Sequence, residues 1–134
     1  MMVRVYLDAA PVIHAVEDVS PYAPVVDTLL SASGVVQIAS DLTRLECRIK
    51  PLRNGDAALL KDYDNYFHAA VAEIVILSRE VIDRAAEIRA TYGFRTPDAI
   101  HLAAAVVSGC EVFLTNDHRL DRFADITIKI IQPS

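Results

Sequence analysis

Basic residues are scarce in this 134-residue chain: 13 lysines and arginines face 18 acids, for a formal net charge of −5. That deficit disfavours generic polyanion binding through a wholly basic surface. It leaves room for nucleic acid held through a local basic patch or through bound cations. Cysteine is also rare. Cys47 and Cys110 have no metal-like spacing, and both read as reduced, buried thiols of an intracellular protein. Long apolar runs are missing too. The longest uncharged stretch, Ala99 to Cys110, is too short to span a bilayer, so no membrane partner is expected. Arg4, Asp8 and Pro11 interrupt the N-terminal apolar run, which excludes a signal-peptide pattern. There is no internal repeat, low-complexity tract or linker. What is present is 53% hydrophobic and 23% charged residues, the balance of a globular chain. Residues 1–134 are therefore expected to form a single cytoplasmic domain.

Apolar periodicity divides the chain into alternating strands and helices. Val3 to Leu7 is a β-branched and aromatic run ending at Asp8, and Val35 to Ala39, Ile74 to Leu77, Glu111 to Thr115 and Thr127 to Ile131 read as further strands. Between them, helices are expected over Val12–Val16, from Pro24 towards Gly34, over Asp41–Lys50, from Asn54 to about Ala72, from Ser78 to about Tyr92, and from Thr96 to Gly109. A helical turn is expected over His118–Phe123. In the Asp41–Lys50 helix, Leu42, Leu45 and Ile49 form the expected buried stripe, Glu46 borders it, and Pro51 is the expected stop. Thr96 reads as an N-cap with Pro97 at the first helical position. This alternation predicts an α/β class: a three-layer α/β/α domain with a central, mainly parallel sheet.

In such sheets, strand C-termini and the helix starts that follow them line the ligand crevice. Asp8 and Asp117 follow strands, Asp98 lies in a helix first turn, and Glu46 borders a buried stripe. Singly, each acid has an ordinary explanation, such as the helix dipole for Asp98 or a turn for Asp117. At about 4 Å and an effective dielectric near 20, two like charges repel by about 4 kcal/mol. Four converging carboxylates therefore need raised pKa values or bound cations. An oxygen-only set without partnering His or Cys suits Mg²⁺ or Mn²⁺, and the natural chemistry is metal-assisted phosphodiester hydrolysis.

Tyr6-Leu7-Asp8, Leu45-Glu46, Thr96-Pro97-Asp98-Ala99-Ile100-His101-Leu102-Ala103 and Leu114-Thr115-Asn116-Asp117 occur in the order and approximate spacing of the acidic motifs of PIN-domain ribonucleases. The chain most resembles the VapC-type toxins of toxin–antitoxin pairs, over essentially its whole length. The resemblance implies a PIN-like fold and a metal-dependent endoribonuclease acting on RNA. It further implies Mg²⁺ or Mn²⁺ held by Asp8, Glu46, Asp98 and Asp117, a cognate antitoxin partner, and a homodimer. One position departs from the family pattern. A polar residue is common shortly after the first acid, whereas Asp8 is followed by Ala9-Ala10-Pro11. Thr115 and Asn116 are the secondary candidates to supply that contact. The same departure favours the alternative of a catalytically silent PIN-fold module that binds protein or RNA.

His101 reads as a core or supporting histidine, and His14, His68 and His118 show no ligand spacing. Arg44, Arg48, Lys50 and Arg53 read equally well as an RNA-backbone patch or a solvated helix face. Tyr63, Tyr66 and Phe67 are expected core or interface residues, in a region that forms an antitoxin groove in VapC-type proteins. A phospho-receiver lacks its acceptor in Ile74-Val75-Ile76-Leu77-Ser78, and a haloacid-dehalogenase-type phosphatase lacks the second Asp because position 10 is Ala.

Overall fold

The central strand is β1 (Val3–Leu7), whose last three side chains are all buried because both faces of the sheet around it are covered. In the computed structural model, which describes residues 2–133, five strands form one wholly parallel sheet. Beside β1 lie β2 (Val35–Ser40) and, at the edge, β3 (Glu73–Val75); on the other side lie β4 (Val112–Thr115) and β5 (Thr127–Ile130), giving the order β3-β2-β1-β4-β5. The chain winds outward from β1 to β3, then returns to β4 on the opposite flank. The winding direction thus reverses between β1 and β4, which opens a crevice above their C-terminal ends.

Alternation within β1 separates two apolar layers. Val5 and Leu7 point into a core with α1 (Ala9–Val16), α2 (Tyr22–Leu30), α3 (Asp41–Arg53) and α4 (Ala57–Ala69). Tyr6 points to the opposite core, with α5 (Arg79–Tyr92), α6 (Thr96–Val107) and a 3₁₀ turn over His118–Arg122. There Tyr6 stacks on Phe113 at 5.1 Å between ring centroids, the two residues being direct register partners. Fully buried Leu7, Ile38, Leu102 and Leu114 each contribute about 2 kcal/mol through burial. Among the described residues, no helix is long and apolar enough to cross a membrane.

The spacing of Val81, Ala85 and Ile88 predicts an inward stripe for the helix from Ser78, with Gly93 as its stop, and α5 matches it. Ser78 caps the helix, Val81, Ala85 and Ile88 are buried, and Gly93 ends it in the left-handed conformation at φ 75°. That turn projects Phe94 and Arg95 into the start of α6.

Two helix expectations are corrected. In α3 the buried residues are Thr43, Cys47 and Pro51, while Leu45 is 54% and Ile49 44% exposed. The helix turns towards the sheet on its polar side because Thr43 Oγ1 is needed there. It donates to the Leu7 carbonyl at 3.1 Å and closes a capping box with Ser40. Pro51 sits inside the last turns of α3 as a buried residue. Its ring lies in line with Thr43 and Cys47, and its packing outweighs one lost backbone bond. The second correction concerns α6, where Arg95 occupies the cap position without a side-chain cap bond and Thr96 is already helical. The first helical bond runs from Ala99 N to Arg95 O at 3.0 Å, one residue earlier than the Thr96 cap requires.

Glu17, just past α1, ties three helices together by accepting from Lys50 Nζ at 2.6 Å and from the Tyr63 hydroxyl. Burial pushes its pKa up, but the bonds from Lys50 and Tyr63 and the Lys50 charge outweigh that and hold it below the ordinary glutamate value. A depressed carboxylate pKa gives stability that is present above the unfolded-state value and is lost as pH falls through the folded one. Glu17→Gln is therefore expected to lower stability at pH 7 and to converge on wild type as pH falls through the depressed folded-state value, as read by urea denaturation. A deficit independent of pH would show that the carboxylate charge contributes nothing.

Candidate functional site

Four neighbouring chain segments meet at the crevice. Asp8 leaves β1 with extended backbone and caps α1, its Oδ1 accepting from Ala9 N at 2.8 Å. Its Oδ2 accepts from the Thr115 hydroxyl at 2.7 Å. Thr115 Oγ1 in turn accepts from Asp117 N at 3.0 Å, so one fully buried threonine links the ends of β1 and β4. The polar contact that Ala9 and Ala10 cannot make is thus made across the sheet. Asn116 places its Oδ1 in a buried position with no hydrogen-bond partner among the described residues, as do both ring nitrogens of His14, which stacks on Tyr22.

Glu46 reaches the crevice from α3 and meets His101 of α6, with Glu46 Oε1 2.6 Å from His101 Nε2. Asp8 Oδ1 lies 3.5 Å from the same nitrogen. Ligand atoms of Asp8, Glu46 and His101 all fall within 4.8 Å of one another, a grouping compact enough to hold a metal ion. Asp98 and Asp117 stand outside that grouping. Asp98, in the first turn of α6, is paired with Arg95 at 3.3 Å. Asp117 is clasped in bidentate fashion by Arg119, at 2.9 Å from Nε and 2.6 Å from Nη2. The Arg119 bonds hold the Asp117 carboxyl below its usual range. The four acids are only partly shielded, from 16% side-chain exposure for Asp98 to 31% for Glu46.

His101 is the residue that sequence spacing undervalues. It is 2% exposed, and its other ring nitrogen, Nδ1, lies 2.7 Å from the Tyr6 hydroxyl. Tyr6 donates its single proton to Ser40 Oγ at 2.7 Å, and Ser40 accepts from the amides of Leu42 and Thr43 at the start of α3. Nδ1 is thus engaged by Tyr6, while Nε2 faces carboxylate oxygens that only accept, so the ring presents an N–H to Glu46. Burial alone would lower its pKa, but the Glu46 hydrogen bond and the charges of Asp8, Glu46 and Asp98 outweigh that and raise it. The acids therefore have an imidazole partner that the sequence segments around them did not display. Its placement three residues after Asp98 was the available signal, but its bond to Glu46 spans 55 positions and could not be read from spacing.

The basic run on α3 is largely neutralised, with Arg44 beside Asp41 at 3.3 Å, Arg48 beside Asp64, and Lys50 on Glu17. Tyr63 and Phe67 are buried, and Tyr66 donates to Gln37 Oε1 at 2.5 Å. Both cysteines are free and buried, with the Cys47 thiol pushed up to about 12 chiefly by burial.

Residues 5–126 match the family described as the PIN domain. No curated protein matches the chain by sequence. Among solved structures, a chain of the VapBC2 assembly of Rickettsia felis, bound to a DNA fragment from its promoter, superposes with a TM-score of 0.78 at 13% identity, covering 96% of this chain and 99% of that one. A chain of a toxin–antitoxin complex from Klebsiella pneumoniae gives 0.73 at 17% identity, covering 92% and 95%. VapC20 of Mycobacterium tuberculosis, described as a sarcin-ricin loop cleaving toxin, gives 0.68 at 12% identity, covering 81% and 86%. At these identities the likeness is one of fold.

Proposed function

The chain belongs to the PIN domain family, and on that premise we propose that it is a divalent-metal-dependent endoribonuclease, the toxin of a toxin–antitoxin pair. The observation that carries this reading is the meeting of Asp8 and Glu46, from two different elements, at the reversal point of the sheet. The similar fold of VapC20, named as a cleaving toxin, supports it.

The donor set fits a hard cation. The ring nitrogens of His101 are engaged by Tyr6 and Glu46, so carboxylate oxygens are what an incoming ion meets, and oxygen donors suit Mg²⁺ or Mn²⁺. In the proposal Asp8 and Glu46 hold the ion, and Asp98 and Asp117 complete the acidic site. When bound, such an ion supplies Lewis-acid charge for the scissile phosphate and makes water a better nucleophile. Thr115 fixes one oxygen of Asp8, and His101 fixes one oxygen of Glu46. Between them they set where the carboxylates point without spending conformational freedom at the moment of reaction. Asn116, the residue after Thr115 at the end of β4, stays in the proposal as the second candidate for a polar contact.

An antitoxin partner belongs to the same reading. Leu45, Ile49 and Leu52 are 54%, 44% and 59% exposed and lie along one side of α3, an apolar stripe of the kind that a partner covers. The VapBC assemblies of similar fold support it. We include the homodimer in the proposal, with residues 1–134 acting as one PIN-like domain.

The test is RNA cleavage by the protein freed of any copurified partner, with Mg²⁺ or Mn²⁺, with chelator, and alongside Asp98→Asn. Cleavage that needs metal, and that falls in Asp98→Asn to the level seen with chelator, is the expected result. Wild-type protein that neither cuts RNA nor binds Mn²⁺ by calorimetry would leave the silent binding module as the reading.

A further inference from the structure

Beside the acidic crevice lies a second feature, a groove of about 550 Å³ lined by Phe94, Arg95, Asp98, His118, Arg119 and Arg122 among others. We infer that this groove is the track for the RNA backbone, binding phosphates of a single strand next to the acidic site. The inference rests on the nuclease reading and adds where the substrate lies.

Charge is the first argument. Three guanidinium groups converge on the groove in a chain whose net charge is −5; Asp98 and Asp121 share its lining and Asp117 pairs with Arg119, while Arg122 pairs with no carboxylate among the described residues. The α3 run, the other basic concentration, has most of its charge cancelled by Asp41, Asp64 and Glu17. Availability is the second. Arg95 and Arg119 are 68% and 61% exposed, and their carboxylate partners are their own near neighbours in sequence, Asp98 and Asp117. Asp98 occupies only Nε of Arg95, and Asp117 leaves Nη1 of Arg119 unused, so both head groups keep N–H donors for a phosphate without giving up their carboxylates. Guanidinium groups also match phosphate oxygens in bidentate geometry.

The third argument is rigidity. Arg122 donates to the Tyr92 carbonyl at 2.6 Å and lies 4.3 Å above the Phe94 ring centroid and 5.7 Å from that of Tyr92. A head group held on an aromatic floor loses little further freedom when it takes a phosphate. Continuity is the fourth. Asp98 belongs to the groove lining, and Asp117, clasped by Arg119, connects through Thr115 to Asp8. A strand seated on the arginines therefore runs directly to the acids. Because the arginines address phosphates, the groove positions RNA and does not read its sequence.

Binding of a short fluorescein-labelled single-stranded RNA, followed by anisotropy in chelator at several salt concentrations, tests this without any dependence on cleavage. For single strands each phosphate contact contributes about −0.7 to the slope of log affinity against log salt. The double variant Arg95→Ala/Arg119→Ala is expected to bind more weakly and to lower the slope magnitude by about 1.4. Arg122→Lys, which keeps the charge but leaves the aromatic floor, is expected to weaken binding with little change in slope. Arg44→Ala/Arg48→Ala on α3 should match wild type. An unchanged slope in the Arg95/Arg119 double variant overturns the inference, as does wild-type protein that binds an acidic peptide of equal charge as tightly as RNA. If metal-dependent cleavage is found while the slope is unchanged, the groove assignment falls and the nuclease reading stands. A lowered slope in a protein that neither cleaves RNA nor binds Mn²⁺ sustains the groove and removes the nuclease.

Discussion

Asp8→Asn is expected to eliminate metal-dependent RNA cleavage and to erase the stabilisation that Mn²⁺ gives the wild-type protein, while leaving the metal-free fold within about 1 kcal/mol of wild type. The reasoning separates two jobs of one side chain. As the cap of α1, Asp8 accepts from Ala9 N, and asparagine caps as well as aspartate does. As a member of the acidic group it contributes charge within 4.8 Å of Glu46 and His101, which asparagine cannot replace. A ligand that binds only the folded state stabilises by about 2.7 kcal/mol at a hundred times its dissociation constant. Thermal melts with and without Mn²⁺ are therefore a readout independent of activity. If Asp8→Asn melts far below wild type in chelator, Asp8 is chiefly structural. If it retains the full Mn²⁺ shift, the ion is held elsewhere.

His101→Leu should produce the larger stability loss, about 3 kcal/mol, because it removes the hydrogen-bond partner both of Glu46 and of the buried Tyr6 hydroxyl. The leucine fills much of the space but leaves Glu46 and Asp8 facing each other without the imidazole N–H, and Tyr6 without the ring nitrogen at 2.7 Å. A cation then becomes more valuable to the fold. The Mn²⁺-induced rise in melting temperature is expected to exceed that of wild type, even as loss of the Glu46 anchor lowers cleavage by about 10–100-fold. Adding Tyr6→Phe should cost less than its effect alone, since the two residues share one hydrogen-bond chain. If the variant loses stability that Mn²⁺ does not restore beyond the wild-type shift, His101 acts through packing and not as the hydrogen-bond partner of the acids.

What could be read in the sequence follows from how local each interaction is. The cap, buried stripe and glycine stop of α5 lie within one short segment, and all were legible. The parallel sheet was legible because buried strands and crossover helices alternate along the chain. The exposed side of α3 was not. Leu42, Leu45 and Ile49 have the right spacing for a core stripe, but the helix is rotated by what Thr43 does at Leu7, 36 positions away. The site divides in the same way. Positions for acids at strand ends and helix starts are visible in order along the chain. Which acids share a partner is decided by His101 and Thr115, each bonded across most of the fold. Nothing local distinguishes Glu46, which meets a histidine, from Asp117, which meets the arginine two residues on.

The bond between Asp8 and Thr115 spans 107 positions, and β1 pairs with β4 over a similar separation. During synthesis, the first acid emerges long before the strand that orients it. A growing chain that has reached only β3 holds Asp8 and Glu46 but has neither His101 to balance them nor Thr115 to aim them. Long-range pairings of this kind form late, after their loop-closure entropy is met. The crevice is consequently assembled only after β4 has been made, and a polypeptide interrupted at β3 carries Asp8 and Glu46 without the residues that orient them.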